Sequence, residues 1–204
     1  MIVLAFDTAT PDTVVGLTGA GEPVELRHTP AAGERPGHAE QVLPLCLEAL
    51  ERAGIGWPAV ARIGVGVGPG TFTGLRIGVA TGRALAQSAG AELVAVSTLR
   101  ALAANLEGSF PVIDARRGEA FVLVDGEPRV ARPEELAALA GDRTAIGDGA
   151  LRYREHLGDV APGESALHHV HGAVLCRLAQ EGEPIAREAL LPDYVRDPDA
   201  KPRD

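Results

Sequence analysis

The sequence has 204 residues, of which 46% are hydrophobic and 23% are charged, as in a globular protein large enough to bury a core. Its formal net charge of −9 at pH 7 disfavours independent binding to RNA or DNA, which proteins bind through clustered lysine and arginine. No segment approaches the roughly 20 apolar residues of a membrane span, and the first apolar run is too short for a signal peptide. Cys46 and Cys176 have no metal-type spacing. We therefore expect a cytoplasmic protein with reduced, buried thiols and no contact with a membrane.

The first half of the chain predicts three strands followed by alternating helices and strands. Residues 2–19 read as an apolar strand that ends at Asp7, a polar turn that contains Pro11, and a second strand. The elements predicted after them are a strand at Pro23–His28, a helix at His38–Ala53, a strand at Arg62–Val67, a helix at Thr73–Ala89, a strand at Glu92–Val96 and a helix at Thr98–Leu106.

The second half repeats this plan, with Asp114 in the place of Asp7. Residues 110–125 read as a strand ending at Asp114, a polar turn with Gly118 and a second strand. The elements predicted after them are a short segment at Pro128–Ala131, a helix at Pro133–Ala140, a strand at Thr144–Ile146, a helix at Ala150–Leu157, a weak strand near Leu167 and a helix at Gly172–Gln180.

This duplication predicts an α/β fold of the two-lobed actin-like ATPase (ASKHA) type. The second copy is compressed and its predicted helices are short, so we expect a reduced second lobe. The expected division is an N-terminal lobe at residues 1–106, rejoined by residues 192–204, and a C-terminal lobe at residues 107–191.

The strand ends carry candidate cleft residues. Asp7 and Thr8 stand where an actin-like ATPase places its first phosphate loop, and a carboxylate there would hold hydrated Mg²⁺. The alternative is turn chemistry, in which both side chains bond to nearby backbone. Asp114 and Arg116 hold the equivalent position in the second half, where they would bind an anion or form a salt bridge within the turn. No adenosine-binding glycine motif is visible, which counts against a complete ATP site.

Three further features are weaker signals. The stretch GDGA, residues 147–150, joins a predicted strand to a helix, as a second phosphate loop would. His168 and His171 have the i, i+3 spacing of one helical face, but no carboxylate pair accompanies them, so we predict no metal site. His38 stands alone at a helix start, where a cap or a packing contact is the simpler role.

The stretch GVGPGTFTGLRIG, residues 66–78, is rich in glycine but does not match a known nucleotide loop. A Walker A loop needs a lysine after its last glycine, where Leu75 stands, and Thr73 replaces the third glycine of the dinucleotide fingerprint. Small residues instead recur every four positions along the following helix, at Gly74, Gly78, Gly82 and Ala86. Because a glycine costs about 1 kcal/mol inside a helix, this spacing indicates a close helix contact.

The preceding helix has an apolar stripe broader than one core needs, formed by Val42, Leu43, Cys46, Leu47 and Leu50. We therefore interpret the two helices as a protein–protein interface. The alternative is ordinary tight packing inside the lobe.

Residues 68–78, GPGTFTGLRIG, closely resemble the signature of the TsaB (YeaZ) family of bacterial tRNA threonylcarbamoyladenosine biosynthesis proteins, with Thr71 in place of the usual serine. Other stretches agree with that family in the same order: FDTAT at 6–10, HAEQVLP at 38–44, STLRALA at 97–103, DAR at 114–116 and PDYVR at 192–196.

The resemblance implies a non-catalytic accessory subunit with an actin-like fold. Members of that family pair with TsaD, a homologous subunit that holds the metal and transfers threonylcarbamoyl to the adenosine beside the anticodon, and TsaE, a small ATPase, joins them. It implies a homodimer when the chain is alone, contact with tRNA only through the complex, and no required cofactor. Binding of a nucleotide (ATP or ADP) in a remnant cleft or at the complex interface stays open.

The resemblance also implies two sets of residues. The remnant cleft would contain Asp7, Thr8, Gly68, Pro69, Gly70, Thr71, Asp114 and Arg116. The partner interface, a four-helix bundle with the partner's helices, would contain His38, Val42, Leu43, Cys46, Leu47, Leu50, Gly74, Ile77, Gly78, Thr81, Gly82 and Leu85. The His-x-x-x-His metal pair of TsaD is absent, because Val42 follows His38 at the fourth position.

Two other functions are weighed against this one. A small-molecule kinase or ATPase of the actin-like fold would use Asp7 and Asp114 in the cleft, but the missing adenosine motif and the lysine-free loop disfavour it. An endopeptidase, an old label of the family, has no support from a Ser–His–Asp, Cys–His or zinc arrangement.

Overall fold

The structure, a computed structural model, describes residues 1–31 and 33–195. The predictions for residues 196–204 therefore fall outside the described residues. The described strands are β1 Val3–Asp7, β2 Thr13–Thr18, β3 Val24–His28, β4 Arg62–Gly68, β5 Glu92–Ser97, β6 Phe110–Arg116, β7 Glu119–Val124, β8 Glu127–Ala131 and β9 Ala145–Ile146. The described α-helices are α1 His38–Arg52, α2 Phe72–Ala89, α3 Thr98–Ala103, α4 Pro133–Ala140, α5 Asp148–Arg152 and α6 Gly172–Glu181. No described helix is long and apolar enough to cross a bilayer.

The strands form two sheets with the same internal order. The first sheet has the order β3-β2-β1-β4-β5, and the second has the order β8-β7-β6-β9. In each sheet the first three strands in sequence are antiparallel, and the fourth pairs in parallel with the first of them. The predicted repetition of strands along the chain is therefore confirmed for the first four strands of each half. Among the described residues the second sheet has no fifth strand, only a single parallel bridge from Ala145 to Val160.

The first sheet is covered on both faces, which explains why its strands are apolar at almost every position. Leu4 and Phe6 of β1 point into a core shared with α1 and α2. Val3 and Ala5, on the opposite face, point into a core shared with α3 and α6. That second core also contains residues of β6 and β7, such as Ile113, so it joins the two sheets.

Helix α6 returns the chain to the first sheet, where it packs against β1, β2 and β4. Gly16 of β2 and Gly172 of α6 allow this contact, since a Cβ on Gly16 would lie 2.2 Å from the Gly172 carbonyl oxygen. The return of the chain to the first sheet thus begins before residue 192. The boundaries of the two lobes stay a prediction.

Two predicted elements of the second half are wrong. The helix expected at Ala150–Leu157 is the shorter α5, which ends at Arg152 and gives way to a 3₁₀ turn at Arg154–His156. The weak strand expected near Leu167 is a 3₁₀ turn at Ala166–His168, because the Ser165 hydroxyl caps the Leu167 N–H and closes the turn.

Arg27 of β3 anchors the segment that leads into α6. Its guanidinium donates to Asp12 at 2.9 Å, to Glu25 at 3.1 Å and to the Val170 carbonyl at 2.7 Å. The same two carboxylates bind the returning segment directly, because His169 lies 2.7 Å from Asp12 and His171 lies 3.1 Å from Glu25. Charged groups therefore fasten this part of the chain to the edge of the first sheet.

The Glu25–His171 pair makes stability depend on pH. Burial by itself would raise the pKa of Glu25. His171, together with the Ala173 N–H and the charge of Arg27, outweighs burial and lowers that pKa to about 2. The hydrogen bond to Glu25 raises the pKa of His171. Stabilisation by ionised Glu25 is therefore present above pH 4.5 and lost as the pH falls toward 2. Stabilisation by protonated His171 is present below pH 6.5 and lost as the pH rises above the raised pKa of that imidazole.

We therefore expect His171→Gln to lower the free energy of unfolding at pH 6 by about 0.5–1 kcal/mol, and by less at pH 9, since the parent imidazole loses its proton as the pH rises above its raised pKa. Urea denaturation at the two pH values measures the difference. His156→Gln, on the exposed 3₁₀ turn, is the control. An equal loss at both pH values would contradict the ionic role of His171.

Candidate functional site

The glycine-rich motif is the loop that joins β4 to α2, and it packs on the turn after β1. The Thr71 N–H donates to the Ala9 carbonyl at 2.8 Å. A Cβ on Gly70 would lie 2.3 Å from that same carbonyl oxygen, so only glycine fits there without a shift. The structure thus brings the predicted residues of the first half, from Asp7 and Thr8 to Thr71, into one cluster.

The Asp7 carboxylate is buried within this cluster and links three segments of the chain. It is 1% exposed; Oδ1 accepts the Ala9 N–H at 2.7 Å and Oδ2 accepts the Thr98 hydroxyl at 2.6 Å. Thr98 Oγ1 in turn accepts the Gly68 N–H at 3.1 Å. Burial raises the pKa of Asp7, against the hydrogen bonds from Thr98 and the backbone that lower it. The side chain therefore connects β1, the end of β4 and the start of α3.

This geometry does not fit a carboxylate that holds hydrated Mg²⁺. Both oxygens of Asp7 are engaged by donors of the chain itself, and Gly66 lies so close that a Cβ there would sit 1.9 Å from Oδ2. Thr8 is likewise buried, and its hydroxyl donates to the Gly74 carbonyl at 2.8 Å. The geometry favours the turn chemistry that the sequence analysis left open as the alternative.

Asp114 has a corresponding internal role in the second sheet. Its Oδ1 accepts the Arg116 N–H at 2.9 Å and the Tyr153 hydroxyl at 3.2 Å, and its Oδ2 lies 3.2 Å from the Arg116 guanidinium and 3.5 Å from Arg152. Arg116 reaches this position with a left-handed φ of 63°. The arrangement is the salt bridge within the turn, again the alternative.

Asp148, in the GDGA stretch, accepts a hydrogen bond from the backbone of β6. Its Oδ1 accepts the Asp114 N–H at 3.2 Å and the Gly149 N–H at 2.9 Å. Burial raises the pKa of Asp148 to about 6. Gly147 leaves no room for a side chain, because a Cβ there would lie 2.2 Å from the Val112 carbonyl oxygen. The stretch is therefore a packed junction between β9 and α5.

The predicted histidines make contacts within the chain. His168 ends a 3₁₀ turn and His171 precedes α6, so their spacing of three does not place them on one helical face. The Gly147 N–H donates to His168 Nδ1 at 3.0 Å. His38 is buried, with Nδ1 2.8 Å from the Thr13 hydroxyl, and burial lowers its pKa. Among residues 1–31 and 33–195, no three or more His, Cys, Asp or Glu side chains cluster as metal ligands.

The glycine spacing in α2 serves the interior of the chain, which corrects its interpretation as a partner contact. A Cβ on Gly74 would lie 1.9 Å from the Thr8 carbonyl oxygen, and one on Gly82 would lie 2.4 Å from a Val65 methyl. A Cβ on Gly78 would lie 2.6 Å from the Thr8 hydroxyl. The glycines let α2 lie unusually close to β1 and β4, which is the tight packing inside the lobe named as the alternative.

The remaining interface candidates separate by exposure. Four candidates lie on the inner side of α1 and are corrected to core positions: His38, Val42, Cys46 and Leu50. Three candidates on α2 are partly exposed: Ile77, Thr81 and Leu85. Leu43 and Leu47 are 43% and 49% exposed.

A second series of residues on α2 also recurs every four positions, and its members are exposed. The sequence had indicated this spacing only for the small residues from Gly74 to Ala86. The members of the second series are Phe72, Arg76, Ala80 and Ala84. We call the exposed side of the two helices the α1–α2 face, formed by Leu43, Leu47, Ile77, Ala80, Thr81, Ala84 and Leu85.

Comparison with known proteins agrees with this architecture. The profile of the family "TsaD: tRNA N6-adenosine threonylcarbamoyltransferase" matches residues 34–174. The structure of YeaZ from Pseudomonas aeruginosa superposes with a TM-score of 0.73 at 29% identity, over 95% of this chain and 99% of that one. The fold and the site therefore define a mixed α/β protein of the TsaD and YeaZ type, consistent with the actin-like ATPase superfamily.

Two curated relatives narrow the assignment. The tRNA threonylcarbamoyladenosine biosynthesis protein TsaB of Escherichia coli is 30% identical, over 96% of this chain and 95% of the relative. The protein of the same name from Bacillus subtilis is 28% identical, over 96% of this chain and 94% of the relative. The chain belongs to the TsaB (YeaZ) family.

The inward orientation of the glycines predicts a stability defect. We expect Gly74→Ala to lower the free energy of unfolding by about 2 kcal/mol, because the new methyl collides with backbone and displaces the hydrogen bond from Thr8. Ala84→Leu, on the exposed side of the same helix, should change stability by less than about 0.5 kcal/mol. Urea denaturation measures both, and a fully stable Gly74→Ala chain would show that the interior assignment is wrong.

Proposed function

We propose that the chain is the non-catalytic accessory subunit of a tRNA threonylcarbamoyl-transfer complex. It pairs with a TsaD-type catalytic subunit, with a TsaE-type ATPase as a further member, to modify the adenosine beside the anticodon in tRNAs that read codons starting with A. Its membership of the TsaB family carries this proposal, since relatives over nearly their full length are named for threonylcarbamoyladenosine biosynthesis. A cytoplasmic location follows, because tRNA is modified there in bacteria.

The chemistry of the candidate cleft supports an accessory role. Asp7 and Asp114 are both bound by donors of the chain, so neither is presented to a substrate as a base. Burial raises the pKa of Cys46 and of Cys176 to about 12, so neither thiol is a nucleophile at neutral pH. The kinase or ATPase alternative gains no observation in its favour.

The α1–α2 face is the surface that we assign to the partner. Leu43 and Leu47 leave almost half of their area in water, on a helix whose inner side buries Val42, Cys46 and Leu50. Ala80 and Ala84 lie on the exposed side of the neighbouring helix, where small side chains allow another helix to approach closely. An apolar surface of this kind is typical of a protein–protein contact. The same face would pair two copies when the partner is absent.

The purified chain alone should show no ATP hydrolysis and no threonylcarbamoyl transfer to tRNA. With threonylcarbamoyl-AMP supplied as the donor, transfer to tRNA and release of AMP should appear when the TsaD-type and TsaE-type subunits of the same organism are added. Modified adenosine, measured by mass spectrometry of digested tRNA, gives the readout. Turnover by the chain alone that Asp7→Ala abolishes would overturn the accessory role.

A charge placed in the α1–α2 face should break the pairing. We expect Leu47→Asp to weaken binding to the TsaD-type subunit at least 100-fold, because a carboxylate would be buried without a partner. The free energy of unfolding should change little, since Leu47 is 49% exposed. Leu151→Asp, 37% exposed on α5, is the matched control. Calorimetric titration measures binding, and unchanged affinity of Leu47→Asp would refute the assigned face.

A further inference from the structure

A pair of stacked aromatic rings lies exposed at the start of α2. Phe6, Phe110 and Phe121 are at most 6% exposed, whereas Phe72 is 45% exposed. Tyr194, from the segment that follows the second sheet, is 37% exposed, and its ring stacks on Phe72 with centroids 5.5 Å apart. Aromatic residues form only 3% of this chain, so two of them side by side at the surface need an explanation.

Arg76 completes this cluster. Its guanidinium carbon lies 3.7 Å from the centroid of the Phe72 ring, and its Nε donates to the Tyr194 hydroxyl at 3.1 Å. The segment that carries Tyr194 is itself pinned, because the Asp193 N–H donates to the Val67 carbonyl at 2.8 Å. The three side chains are therefore held in place before any ligand arrives. We call Phe72, Arg76 and Tyr194 the aromatic–arginine cluster.

We propose that the aromatic–arginine cluster is a second contact point for the TsaD-type subunit, which extends the α1–α2 face past the start of α2. The inference rests on the proposed function, because it names the same partner. The matching surface of the partner is an apolar pocket for the Phe72 and Tyr194 rings with a carboxylate at its rim for the Nη groups of Arg76.

The continuity of the exposed surface supports this occupant. Phe72, Arg76, Ala80 and Ala84 are spaced by four along α2, so they form one slowly winding stripe that runs from the cluster onto the α1–α2 face. A subunit that covers Ala80 and Ala84 would therefore reach Arg76 about one helical turn further along α2 and Phe72 about two turns further. The cluster is at the edge of that surface and needs no separate partner.

Chemistry and charge also favour a protein partner over RNA. Tyrosine, phenylalanine and arginine are the side chains enriched at protein interfaces, and tyrosine and arginine are typical of their energetic centres. Rings that are already stacked lose little freedom on binding, which favours affinity. An RNA surface would need several cations, whereas this cluster has one arginine in a chain of net charge −9.

The test compares full-length variants for binding to the TsaD-type subunit. We expect the double variant Phe72→Ala/Tyr194→Ala to raise the dissociation constant at least 10-fold. Tyr194→Phe, which keeps the ring, should raise it much less. The unfolding midpoint in urea should stay close to that of the parent chain, because both rings are exposed. Leu151→Ala, an exposed apolar residue on α5, is the control and should bind normally.

Leu47→Asp, measured alongside, separates the two proposals. If Leu47→Asp abolishes binding while the double ring variant binds like the parent chain, the cluster inference is overturned and the α1–α2 face stands. If the parent chain does not bind the TsaD-type subunit at all, the proposed function fails and the inference fails with it. If the ring variant binds the subunit normally but the assembled complex loses affinity for a tRNA transcript, the cluster contacts RNA and the inference is again overturned.

Discussion

The close packing of α2 against the turn after β1 is the constraint on which the first sheet and its loops depend. Gly74 and Gly78 bring the helix backbone within hydrogen-bond reach of Thr8, whose hydroxyl donates to the Gly74 carbonyl. Gly66 makes room on β4 for the Asp7 carboxylate in the same way. Each helical glycine costs about 1 kcal/mol relative to alanine, so their presence where a methyl would collide marks a contact that offsets that cost. Strand β1, strand β4 and the helix form one unit through these glycines.

This packing explains why a loop that looks like a phosphate cradle has a different role. Asp7 lies against Gly66 of β4, and its two oxygens accept hydrogen bonds from Ala9 and Thr98. Thr98 starts α3, which packs on both sheets, so the carboxylate is part of the joint between the two halves of the chain. The inner side of α2 packs against β4 and the turn after β1. Its outer side stays exposed next to the outer side of α1.

The order of strands and helices could be predicted well because periodicity and turn residues act locally. The apolar strands that end at Asp7 and Asp114 indicated a duplication, and the first four strands of each half form sheets with the same order. The prediction failed where a short-range hydrogen bond decides the outcome, as at Ser165, whose cap turns a weak strand into a 3₁₀ turn. It also failed for α2, where the spacing of four was assigned to the wrong side of the helix. Phe72 and Tyr194 are 122 positions apart in the sequence (194 minus 72), so no local pattern could have paired them.

The sequence by itself determined the family, the order of strands and helices along most of the chain, and the broad apolar stripe of α1. These properties depend on residue types at fixed spacings, which the chain carries in any conformation. Only the tertiary structure decided which side of α2 faces inward and that Asp7 is a buried joint. It also decided that the cluster of Phe72, Arg76 and Tyr194 exists at all. The physical reason is that spacing places residues on one side of a helix or strand, whereas the neighbour that this side meets is fixed by strand register and by the return of the chain.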